Sequence, residues 1–141
     1  MKKILLAALL AGSAFTAQAA ELVVTSVEKG GVTFVSFDLV DANDVAGLQF
    51  SVSAEGLAGS IDTANCVAGL PKSFSASCNV KDGVVTIAGF APSADGALSG
   101  ASVAVGQISF RANGGGKVAV SKALTSNSQA QDIELRIAEV K

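Results

Sequence analysis

The chain has 141 residues, half of them hydrophobic, and 12 acidic against 10 basic side chains give a net charge of −2. A length of this order holds one domain rather than two. His, Trp and Tyr are all absent, which removes the imidazole base that Ser and Cys hydrolases of the usual kind need; the mild acidity, without clustered Lys and Arg, argues against nucleic acid.

Residues 1–19 read as an export signal. Lys2 and Lys3 make a positive start, Ile4 to Ala11 an apolar run, and Ala17-Gln18-Ala19 a small-x-small cleavage site. The apolar run is shorter than the roughly 20 residues that cross a bilayer, and no other run of that length follows, so membrane insertion is not expected. Cleavage would leave a domain over residues 20–141, with eight basic against twelve acidic residues and a net charge near −4. A signal of this style is bacterial and points to a secreted product, periplasmic or extracellular.

Strand candidates follow in chain order at Leu22–Val27, Val32–Val40, Ala46–Ser53, Val84–Phe90, Val103–Arg111, Lys117–Leu124 and Ile133–Ala138. Turn residues separate them at Lys29-Gly30-Gly31, Asp41 to Asp44, Lys81-Asp82-Gly83, Asp95-Gly96 and Asn113 to Gly116, a spacing that fits an all-β sandwich. Period-two alternation in Ala46–Ser53 turns Leu48, Phe50 and Val52 inward and Gly47, Gln49, Ser51 and Ser53 outward. Ile108 and Phe110 face inward by the same rule. In Val32–Val40 apolar residues occupy both faces, as a central strand requires. The segment Gly56 to Ser77 is the least regular, with room for a short helical turn near Ile61 to Ala64.

Cys66 and Cys78 are the only cysteines, both in the exported part, where disulfides persist. They are expected to be joined, because two cysteines without His do not make a usual zinc site and the spacing is not that of a CxxC pair. Other chemistry finds little support. The Lys residues read as solvated charges. Asp38, Asp41 and Asp44 read as turn residues, since the segment lacks the residue order of a calcium loop. Gly114-Gly115-Gly116 reads as a hairpin turn, because no helix follows to hold a phosphate. No catalytic residue, metal site or cofactor is expected.

Several stretches resemble the cohesin domains of cellulosomes: Val45 through Ser53, Gly83 through Ala88, Gly96 through Gly100 leading to Val105 through Arg111, and Ser126 through Ile133. The resemblance implies a single antiparallel nine-stranded β-sandwich of jelly-roll topology and a non-enzymatic protein-interaction module. Its partner would be a dockerin-like or other exported protein, docked on outward positions matching Gly47 and Gln49, with Ser51 beside them. Cohesins usually follow the alternating strand with Tyr-Asp-Pro, where this chain has Ala54-Glu55-Gly56, and the Cys66 to Cys78 segment is not a general cohesin feature. A carbohydrate-binding module is the alternative, with Phe34, Phe74 and Phe90 as candidate surface rings. A second alternative is a structural subunit that adds strands at edges bearing Glu28, Lys29, Glu134, Arg136 and Glu139, charges that tend to block such pairing. A monomer is expected in isolation.

Overall fold

The structure is a computed structural model describing residues 19–114 and 116–140. All but Ala19 of the expected export segment lies outside the described residues. Among the described residues eight strands run β1 (Ala19–Lys29), β2 (Val32–Ala54), β3 (Leu57–Asp62), β4 (Ser75–Lys81), β5 (Val84–Phe90), β6 (Leu98–Ala112), β7 (Val118–Asn127) and β8 (Asp132–Val140), with a 3-10 turn at Ala94–Gly96. Among the described residues no helix is long and apolar enough to cross a membrane.

The two tightest connections follow from their residues. Gly30 and Gly31 both take positive φ between the paired Lys29 and Val32, and Asp82 and Gly83 do the same between Lys81 and Val84. Two consecutive left-handed residues are what a two-residue hairpin needs if its twist is to match that of the flanking strands, and Gly and Asp adopt that conformation most readily.

One strand organises the whole sandwich. The sequence divides at Asp41 to Asp44 into two expected strands, yet the chain continues through this segment as the 23-residue β2. Asp41 and Asp44 adopt left-handed conformations, φ 57° and 56°, and the register slips between Ala42 and Val45. The strand is thereby bent and passes from one layer to the other. Its first half pairs with β1 and β6, its second half with β5 and β7. The resemblance implies nine strands and the described residues form eight: the seven read from the sequence become six at this bend, and β3 and β4 add two.

Between the layers lie Val35, Phe37 and Leu39 from the first half of β2 and Leu48, Phe50 and Val52 from the second, all buried, as alternation requires. Phe37 meets Phe50 with ring centroids 5.1 Å apart and planes tilted by 60°, a favoured aromatic geometry. Val85, Ile87, Ile108 and Phe110 complete the centre.

The remaining pairings depart from the expectations in several ways. β8 runs parallel to β1, from Ala19 opposite Glu134 to Thr25 opposite Val140, so the sandwich is not wholly antiparallel. β1 lies between β2 and β8, and β8 between β1 and β7. Pairing is nonetheless one-sided at the charges expected on edges: β8 meets β1 only as far as Thr25, leaving Glu28 and Lys29 to β2 alone, and β7 meets β8 only at Ile133 and Asp132, leaving Glu134, Arg136 and Glu139 to β1 alone. The strands that are outer along their whole length are β3 and β4. These two were not read from the sequence; no helical turn forms at Ile61 to Ala64, where Ile61 and Asp62 end β3. Finally, β6 and β7 pair with opposite halves of β2 and not with each other, so the glycine segment between them, whose Gly115 lies outside the described residues, is a crossing between layers rather than a hairpin.

Candidate partner-binding face

The layer made by β7, the second half of β2, β5 and β4 presents its outer face in ordered rows. Leu124, Gln49, Ala88 and Ser77 stand opposite one another across the four strands, and Ser126, Gly47, Phe90 and Ser75 form the next row. Because Leu48, Phe50, Val85 and Ile87 point into the core, the residues between them must point out. The rows enclose a shallow hollow of about 550 Å³ whose lining includes Gly47, Gln49, Ala88, Phe90 and Leu124 and carries one ionisable side chain, Asp132 at its rim.

Of the three residues the sequence nominates, Gly47 and Gln49 lie in this hollow and Ser51 does not. Ser51 is on the same side of the strand but only 4% exposed, and its hydroxyl is 3.2 Å from that of Thr86, with which it shares a hydrogen bond. The hydroxyl is committed within the sheet. Gly47 keeps the floor low, since a Cβ there would stand 2.5 Å from Ser126 Oγ.

Two large apolar side chains on this face were not nominated as partner contacts: Leu124 is 63% exposed and Phe90 58%. The sequence offers Phe90 only as a candidate sugar platform. Leu124 escapes the alternation rule for a definite reason. Val118 and Val120 pack toward the core, so strict alternation along β7 would turn Leu124 inward as well. Between Ser121 and Leu124, however, three steps of β7 match the two steps from Ser51 to Gln49 on β2, with Lys122 at φ 54°. This bulge inserts one residue, turns Ala123 and Thr125 inward, and sends Leu124 out. The signal in the sequence was an apolar residue ending a strand after a Lys out of phase.

Phe74 is not a surface ring. It is 4% exposed and lies over Gly89, whose missing Cβ leaves the space for its ring edge. It therefore belongs to the core and has no face to offer a sugar. Phe34 is half-buried, leaving Phe90 as the exposed ring of the three.

The acidic segment is a corner of the fold. Asp44 accepts hydrogen bonds at one carboxylate oxygen from the Ser128 hydroxyl at 2.8 Å and the Ser128 N–H at 3.3 Å, while its own N–H donates to Ser99 Oγ. The bend in β2 is thereby tied to the β7–β8 turn. Among the described residues no three His, Cys, Asp or Glu side chains converge on a point where a metal ion would sit.

Cys66 and Cys78 form the expected disulfide, with Cα atoms 6.4 Å apart.

No family model matches this sequence, and no curated protein matches it. Solved structures do. A non-cellulosomal cohesin from the hyperthermophilic archaeon Archaeoglobus fulgidus superposes with a TM-score of 0.62 at 10% identity, over 86% of this chain and 91% of that one. The sixth cohesin of scaffoldin B from Acetivibrio cellulolyticus, solved in complex with a dockerin, gives 0.63 at 15% identity, over 87% and 99%. A chain of a type I cohesin–dockerin complex from Clostridium thermocellum gives 0.61 at 11% identity, over 89% and 94%. The likeness spans nearly the whole of both partners in each case, at identities that speak for architecture alone: the chain has the cohesin fold.

Proposed function

We propose that this is an exported, non-catalytic interaction module that binds a dockerin-like or other exported protein through the outer face of β7, β2, β5 and β4. One observation carries the reading: an almost uncharged, shallow face on which Leu124 and Phe90 stand exposed on either side of a low floor formed by Gly47 and Ala88. Interfaces draw most of their affinity from a few apolar and aromatic anchors desolvated at the centre, and charged residues are depleted there. Gln49, between the anchors, supplies a donor and an acceptor that fix orientation. Solved relatives of this fold come from cohesin–dockerin complexes, which supports the choice of partner class. Carbohydrate binding is the weaker reading, since Phe90 alone cannot make the row of rings that a polysaccharide surface uses.

The test is capture from the exported proteins of the producing organism on immobilised protein. The wild type retains a specific partner, and the Phe90→Ser, Leu124→Ser double variant does not. If the two retain the same proteins, the face assignment is wrong.

A further inference from the structure

The disulfide connects two places that strand pairing leaves apart. β4 pairs with β5 alone, which makes it the outer strand of the partner-binding face, and its Ser75 and Ser77 line the far side of the hollow. Cys78 stands opposite Ile87 and points from β4 toward the core. Cys66 belongs to the turns between β3 and β4, which lie along β6 of the other layer. There the Gln107 N–H donates to the Asn65 carbonyl at 2.9 Å and the Gly69 N–H to the Val105 carbonyl at 3.0 Å. The Cys66 carbonyl sits where a Cβ of Gly106 would be, so this turn is seated on β6 by shape as well as by hydrogen bonds. The Cys66–Cys78 bond is a strut from β6, across the open side of the sandwich, to the outer wall of the face.

We propose that this strut sets the position of β4 and so couples partner binding to the thiol poise of the compartment, the oxidised protein presenting a complete face and the dithiol protein a frayed one. The proposal rests on the binding reading given above. Cys66 is buried and Cys78 half-buried, so an external thiolate, from a small thiol or a thioredoxin-class dithiol, meets the Cys78 sulfur first. Its attack forms a mixed disulfide with Cys78 and releases Cys66 as a thiolate, which takes up a proton. A second external thiol then displaces Cys78 as its thiol, so that two electrons reach the protein and the external pair leaves as a disulfide. β4 is then held by one neighbour. β2, with Phe37 and Phe50, remains paired on both sides, so the loosening is local.

The experiment is hydrogen exchange on the full chain, oxidised and after reduction with dithiothreitol, with Cys66→Ala, Cys78→Ala as a variant that needs no reductant. Each form is also tested for retention of the exported-protein fraction used above. The expected result is exchange of the Ser75–Lys81 amides at least ten times faster in the reduced and variant forms, unchanged protection in β2, and at least tenfold weaker retention. Unchanged β4 protection, or protection lost evenly across the domain, overturns the strut. Equal retention by the frayed and oxidised forms overturns the coupling alone. An oxidised protein that retains nothing brings down the binding reading, and the coupling with it, while the exchange data still judge the strut.

Discussion

The left-handed backbone of Lys122 is what turns Leu124 outward: the residue inserted at the bulge shifts the phase of β7, and the following apolar side chain lands on the outer face of the sheet instead of in the core. An L-residue pays roughly 1–2 kcal/mol for that conformation, which Gly does not. Lys122→Gly should therefore raise stability by up to about 1 kcal/mol, the gain being trimmed by the entropy of Gly in the unfolded chain. Lys122→Val should lower it by at least about 1 kcal/mol, since a β-branched residue resists positive φ. Urea midpoints of the two variants against wild type decide this, and equal shifts in the same direction would remove the strain argument.

Two glycines that face close neighbours should respond differently to alanine. At Gly106 the obstacle is the Cys66 carbonyl, a backbone atom in a turn hydrogen-bonded to Val105 and Gln107 through Gly69 and Asn65. At Gly47 it is the Ser126 hydroxyl, the end of a side chain that can rotate. Gly106→Ala should cost about 1–3 kcal/mol and Gly47→Ala less than about 1 kcal/mol, read from the same denaturant curves.

Asp44→Ala should destabilise by about 2 kcal/mol, because it removes the acceptor for Ser128 and puts a Cβ without polar compensation at φ 56°. Asp44→Asn retains an acceptor and a residue that tolerates the left-handed region, so its cost should stay near or below about 0.5 kcal/mol. Thermal melts of the pair provide the comparison; equal losses would place the effect in the charge rather than in the corner.

Core and face phenylalanines should separate cleanly. Phe50→Ala removes a buried ring paired with Phe37 and should cost about 3–5 kcal/mol. Phe90→Ser, on an exposed side chain, should change stability by less than about 0.5 kcal/mol while weakening partner retention at least tenfold, which corresponds to about 1.4 kcal/mol. Unfolding and retention measured on one preparation of each variant test both halves.

The strands legible in the sequence are those whose apolar residues alternate clearly or run together. Val84–Phe90 coincides with β5, and inward positions such as Leu48, Phe50, Val52, Ile108 and Phe110 follow from alternation. β3 and β4 were missed because outer strands bury less: Leu57–Asp62 and Ser75–Lys81 consist mostly of small and polar residues with only a weak apolar rhythm. The cysteine pairing was legible from composition and the expected export. That it joins β4 to a turn seated on β6 was not, because which parts of the two layers meet is set by contacts between residues far apart in the chain.

An aliphatic, alternating chain without His, Trp or Tyr was enough to specify a β-sandwich with Phe37 and Phe50 inside and Gln49 outside, because the side to which a Cβ points repeats every two residues along a strand. The identity of the exposed surface was decided at the tertiary level. Ser51 is buried beside Thr86 on a neighbouring strand, Phe74 is drawn over Gly89, and one residue inserted at Lys122 reverses the phase that would have hidden Leu124. Alternation is a property of the local backbone, whereas burial depends on which strands arrive alongside and in what register, and that is set by contacts between residues far apart in the chain.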